Sequence, residues 1–213
     1  MRSMPSAASG RQTREQILRA AMDTASVTGL SGLSIGVLAD QLGMSKSGLF
    51  RHFGAKERLQ LAAVDAAAGI FAREVYQPAL SAEPGLDRLR ALMSHWIRYL
   101  EGDTFPGGCF FAAASADMDS RPGPVRDRVA EAVGAGIAAI VAEIEAARKL
   151  GQLHENVDPA QLAFQLHAYA MEVNWARQLL DDQSAGDRAR AAIAAALTIA
   201  GATSNGTNER DPR

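Results

Sequence analysis

The chain has one cysteine, Cys109, so no disulfide can form within it, and a reducing compartment suits it. Its opening, MRSMPSAASGRQTREQ, contains no apolar segment of the kind a secretory signal needs. Nowhere does it approach the roughly 18 unbroken apolar residues of a membrane span. A cytoplasmic protein without membrane contact is expected. No apolar-polar alternation marks strands, and no unit recurs at a fixed period. His95, His154 and His167 lack ligand spacing with Cys109 or with paired carboxylates, which leaves no metal site to expect. No Ser, His and Asp form a nucleophilic unit, and no glycine loop is built for phosphate, so neither catalysis nor a cofactor is expected.

What is present is ordinary in amount and uneven in placement. The 213 residues carry 22 Lys and Arg against 24 Asp and Glu. Residues 1–60 hold eight basic and four acidic side chains, +4, and residues 61–213 hold fourteen and twenty, −6, which together give the net −2. A basic head would approach DNA phosphates and release counterions, whereas an acidic body would discourage wrapping beyond the head.

The head contains the clearest pattern. Ile35, Leu38, Ala39 and Leu42 fall at i, i+3, i+4 and i+7, one buried stripe of a short helix that Ser34 is placed to cap. Gly43 follows where a left-handed residue ends a helix, Met44 can plug the corner, and Ser45 can cap a second helix running to Phe53. Leu49 and Phe53, four apart, anchor that helix inward. Lys46, Ser47, Gly48, Arg51 and His52 are left on the other face, equipped for phosphates and base edges. A helical hairpin buried in a bundle would not explain this polar cluster.

Residues 12–62 resemble the DNA-binding domain of TetR-family transcriptional regulators. The resemblance rests on Ser34, Leu38-Ala39, Gly43-Met44-Ser45, Leu49-Phe50-Arg51-His52-Phe53 and Ala55-Lys56-Glu57. Two residues depart from the family pattern. Phe50 stands where a tyrosine hydroxyl usually touches a phosphate, a loss Arg51 can compensate, and Ala55 replaces a serine cap. The DNA-contacting residues expected are Thr13, Ser34, Gly36, Ser45, Lys46, Ser47, Gly48, Phe50, Arg51, His52 and Lys56. Among them Lys46 is the first choice for a phosphate or base, Arg51 for guanine, and His52 and Lys56 for the backbone.

The expected fold is all-α, with a three-helix helix-turn-helix domain at 11–57, a helical effector-binding and dimerisation bundle at 58–201, and disordered tails at 1–10 and 202–213. Helices are expected at about 12–28, 56–77 (ending before Pro78), 86–101, 108–118, 124–150, 159–181 and 185–201, besides the two of the motif. That makes about nine, the number in the family. Leu162, Leu166, Tyr169, Ala170, Val173 and Ala176, with Ala192, Ile193, Ala196, Leu197 and Ala200, form small-residue stripes on the last two helices. The resemblance implies that this pair makes a four-helix interface in a homodimer, so that two heads read a palindromic operator in double-stranded DNA. Intrachain core is the competing explanation of the stripes.

The resemblance also implies a small-molecule effector whose binding moves the linking helix and releases a repressor. Trp96, Tyr99, Phe105, Phe110, Phe111, Met118, His167, Met171, Asn174 and Trp175 are the candidate walls and handles of an apolar or amphipathic site. Asn174 and His167 stand out because an inward polar side chain needs a partner. Cys109 reads as a small buried hydrophobe in preference to a reactive thiol. The other class of function open to such a chain is a ligand-binding or interaction module whose helix-turn-helix does not engage DNA.

Overall fold

A computed structural model of the chain describes residues 7–202, and these are helical with no strand among them. The helices are α1 (Ala7–Thr28), α2 (Ile35–Gln41), α3 (Lys46–Phe53), α4 (Lys56–Phe71), α5 (Leu86–Glu101), α6 (Phe110–Met118), α7 (Pro124–Lys149), α8 (Pro159–Leu180) and α9 (Ala185–Ile199). Helix α4 runs on through a π-helical turn, Ala72–Tyr76, into a short α-helical end, Gln77–Ala79. Counted this way, nine helices are present among the described residues.

Boundaries follow local chemistry. Asp158 caps α8, accepting from the N–H groups of Ala160 and Gln161, and Pro159 occupies the first turn, where its missing N–H costs nothing. Gly151, at φ +69, stands just past the end of α7. Two expectations need correction. Helix α1 starts at Ala7, so residues 7–10, assigned to a disordered tail, are helical, in keeping with the high helix propensity of Ala7 and Ala8. Ala202, assigned to the other tail, is buried and donates its N–H to Leu197 O. The rest of both expected tails, 1–6 and 203–213, lies outside the described residues.

The linking helix does not stop before Pro78. The π-turn widens the helix directly ahead of the proline, at the point where its ring would meet the carbonyl four residues back and where it supplies no N–H. The buried positions Ala63, Ala67, Ile70, Val75 and Ala79 step by four, three, five and four, so the wider turn absorbs one residue and keeps the apolar row on one side.

The described residues form two compact units, one of residues 7–73 with 102–135 and the other of 74–101 with 136–202. In the first, α1 packs on α4 and α6, and α2 and α3 pack on each other. Its core includes Ile17, Ala21, Met22, Leu30, Leu33, Leu38, Leu49 and Phe110. In the second, α5, α8 and α9 pack mutually around Leu89, Met93, Ile97, Leu166 and Ile193.

That packing corrects the reading of the last two helices. Leu162, Leu166, Ala170, Val173 and Ala176, with Ile193, Leu197 and Ala200, are buried within the chain, while Tyr169, Ala192 and Ala196 are half-buried. The small residues bring α8 and α9 of one chain together. Exposed apolar side chains lie elsewhere, with Phe164, Trp175 and Leu179 on one face of α8, and Ile199 on α9.

Candidate nucleic-acid interface

The turn between α2 and α3 is built as its residues require. Ser34 Oγ accepts the N–H of Val37 at a long 3.5 Å, a weak cap. Leu38 and Ala39 face inward. Gly43 adopts φ +63, and the N–H groups of Gly43 and Met44 close on Asp40 O and Ala39 O at 3.2 and 2.8 Å, satisfying the last carbonyls of α2. Ser45 then caps α3 firmly, accepting from Gly48 N–H at 3.1 Å, with Ser47 Oγ 3.3 Å away. Leu49 and Phe53 are buried, and Gly54, at φ +73, ends the helix with its N–H on Phe50 O.

This fixes where the expected DNA-contacting residues lie. Ser34, Ser45, Lys46, Ser47, Phe50, Arg51 and Lys56 are exposed, while Thr13, Gly36, Gly48 and His52 are half-buried. Lys46 and Arg51 form no hydrogen bond or ion pair among the described residues, which leaves both cations available to an outside anion. Lys46 reaches back across α2: a Cβ on Gly36 would stand 3.1 Å from its Cε and 3.3 Å from its Nζ. Gly36 therefore makes room for the lysine stem. Gly48 makes room for the cap, because a Cβ there would come 3.0 Å from Ser45 Oγ. The ring of His52 lies beside that of Phe53. Lys56 is partly engaged, donating to Ser31 O at 2.6 Å.

Two basic residues escaped the sequence reading. The Arg14 guanidinium on α1 stacks 4.5 Å from the centroid of Phe53, and that of Arg58 comes 3.6 Å from where a Cβ on Gly54 would be. Both flank the end of α3. Nothing local marks Arg14, since its aromatic partner is far away in sequence.

A second feature binds the head to residues 102–135. Asp117 accepts from both the N–H and the hydroxyl of Ser31, each at 2.7 Å. Ser31 O receives Lys56, and Leu30 O receives Gln60 Nε2 at 2.7 Å. A Cβ on Gly29, itself at φ +74, would come 2.6 Å from Asp117 Oδ2. Nearby, Gly107 donates to Ser26 Oγ at 3.0 Å and Arg19 to Thr104 O at 2.7 Å.

The expected effector residues divide between the units. In the first, Phe110 is fully buried against Phe105 and Phe111, with ring centroids 6.0 and 5.4 Å apart, and Met118 is buried too. Cys109, with the position before α6, is buried. In the second unit Trp96 and Tyr99 are buried and His167 lies edge-on to Trp96 at 5.3 Å. Burial lowers the pKa of His167, favouring the neutral imidazole. Met171 and Asn174 are half-buried. Trp175 does not join them: at 56% exposure it stands on the outer face of α8, about 80° round the helix from His167.

The capped α3, its inward anchors and its unpaired outward cations define a helix-turn-helix DNA-binding regulator of transcription. The family models agree: that for bacterial regulatory proteins of the tetR family matches residues 17–63, and that for the tetracyclin repressor-like C-terminal domain matches residues 85–193. The chain belongs to the TetR family. Solved structures share its fold. A TetR transcriptional regulator from Chloroflexus aurantiacus is 24% identical, with 89% of this chain and 96% of that one covered and a TM-score of 0.82. A TetR-family regulator from Cytophaga hutchinsonii is 16% identical, covering 95% and 100%, at 0.78. AibR in complex with isovaleryl coenzyme A and operator DNA is 22% identical, covering 83% and 95%, at 0.67. No curated protein matches the chain. Among the described residues no helix is long and apolar enough to cross a membrane, and no three His, Cys, Asp or Glu side chains gather as a metal site would need.

Proposed function

We propose that the protein is a homodimeric repressor that leaves a palindromic operator when a small apolar or amphipathic effector binds. The observation that carries this reading is α3, where Lys46, Ser47 and Arg51 are exposed and both cations lack a partner among the described residues. Residues 11–57 read DNA in this proposal. Arg51 addresses guanine, Lys46 and the Ser45–Gly48 turn hold phosphate, and Thr13, Ser34, His52 and Lys56 contribute backbone contacts.

Residues 58–201 supply the effector site and the dimer. Phe164 and Trp175, 69% and 56% exposed, are large apolar groups on one helix face, and a second copy of α8 and α9 would cover them. Trp96, Tyr99, His167, Met171 and Asn174 are the effector residues, all of them in the second unit, whereas Phe110, Phe111 and Met118 lie in the first. AibR, captured with an acyl coenzyme A and with DNA, is an example of one chain of this fold holding both kinds of ligand. Effector occupancy alters the course of α4, so that two heads no longer match successive turns of the groove.

The test uses a palindromic duplex from the gene's own upstream region, titrated at two salt concentrations with the oligomeric state measured by light scattering. Selective binding by a dimer, with affinity falling steeply as salt rises, is expected. Weak binding indifferent to sequence would instead favour a helical module that does not engage DNA.

A further inference from the structure

Two large apolar side chains stand exposed on the helix-turn-helix pair α2 and α3. Val37 is 61% exposed and Phe50 is 50% exposed, whereas their exposed neighbours Ser34, Lys46, Ser47 and Arg51 are polar. The two flank one lysine. Phe50 follows Lys46 by one turn of α3, and Val37 adjoins Gly36, over which the Lys46 stem lies with its Cε 3.1 Å from a Cβ position on that glycine. The start of α2 and the first two turns of α3 thus present these groups around a common cation.

Neither side chain can donate or accept a hydrogen bond, so neither gains from a phosphate or from a polar atom of a base edge. One apolar group is displayed in the major groove, the 5-methyl of thymine. We propose that Val37 and Phe50 are specificity residues that read thymine methyl groups, giving each operator half-site at least one thymine recognised by its methyl. This rests on the reading that α3 enters the major groove of DNA.

The experiment selects duplexes from a random pool with the wild-type protein and resynthesises the best one with deoxyuridine at each thymidine in turn. Deoxyuridine keeps every hydrogen-bonding group and removes only the methyl. Loss of one buried methyl should weaken binding about fourfold, and loss in both halves of a palindrome about fifteenfold. Val37→Ala or Phe50→Ala should abolish the difference at the corresponding position, and since both side chains are exposed, both variants should fold. Equal affinity of the wild type for a fully deoxyuridine-substituted duplex would overturn the proposal, as would a methyl effect undiminished in both variants. If no sequence is enriched at all, the DNA-reading assignment falls and takes this proposal with it, an outcome distinct from selective binding that ignores methyl groups.

Discussion

Asp117 makes the sharpest test of how the head is held. Its carboxylate takes two hydrogen bonds from Ser31, both at 2.7 Å, while only 15% of the side chain is exposed. Hydrogen bonds to a charged group contribute about 1.5–3 kcal/mol each, and truncation leaves the N–H and hydroxyl of Ser31 poorly satisfied. The ion pair with Arg121, exposed on the arginine side, adds little. Allowing for water reaching the opened site, Asp117→Ala should cost about 2–3 kcal/mol, which lowers the melting temperature by about 5–10 °C for a chain of this size. Ser31→Ala removes one donor and should cost about 1 kcal/mol. Urea unfolding of these variants beside Asp119→Ala, an exposed carboxylate without a bonding partner among the described residues, is the assay. The reasoning fails if Asp117→Ala is no more destabilising than Asp119→Ala.

Lys46→Ala should weaken DNA binding by a similar factor on every sequence and reduce the salt slope by about one, whereas Arg51→Ala should relax base preference; equal loss on matched and mismatched duplexes for both would contradict that division. Glu101 accepts from Arg190 Nη1 at 2.8 Å, and that hydrogen bond, ahead of the arginine charges, holds its pKa below the usual 4.5. A depressed folded pKa means the contribution is present above the ordinary value and lost as pH falls through the lowered one. Stability of the wild type should therefore decline between these limits more steeply than that of Glu101→Gln, measured by urea midpoints across the acid range. Phe164→Glu with Trp175→Glu should convert a dimer into monomers in light scattering, since both side chains point away from the core of their own chain.

The parts legible in the sequence are those decided within a few residues. Ser45, Gly43 and the Leu49–Phe53 pair define a capped helix after a left-handed turn, and each rule acts over one turn of chain. Partnership across long separations was not legible. Ser31 and Asp117 lie 86 residues apart, and no composition or period announces that residues 102–135 pack with the head. Stripes of small residues on α8 and α9 describe close helix approach equally well within one chain and between two, and burial assigns all but Tyr169, Ala192 and Ala196 to the core of one chain. Bulk and apolarity make Trp175 resemble an inner-wall residue like His167, yet eight residues along a helix turn a side chain about 80° round, and Trp175 is exposed. Phe50 and Val37 were visible as letters, but their exposure was not.

The widened turn at Ala72–Tyr76 has a bearing on which length changes the chain can tolerate. A regular α-helix would need one residue fewer to carry the apolar row from Ile70 to Ala79. Removing a single residue from this stretch should keep the apolar side facing the same way but drive the Pro78 ring toward the carbonyl four residues back, so the deletion keeps the register and strains the turn. Adding one should turn Val75 and Ala79 outward by roughly 100°.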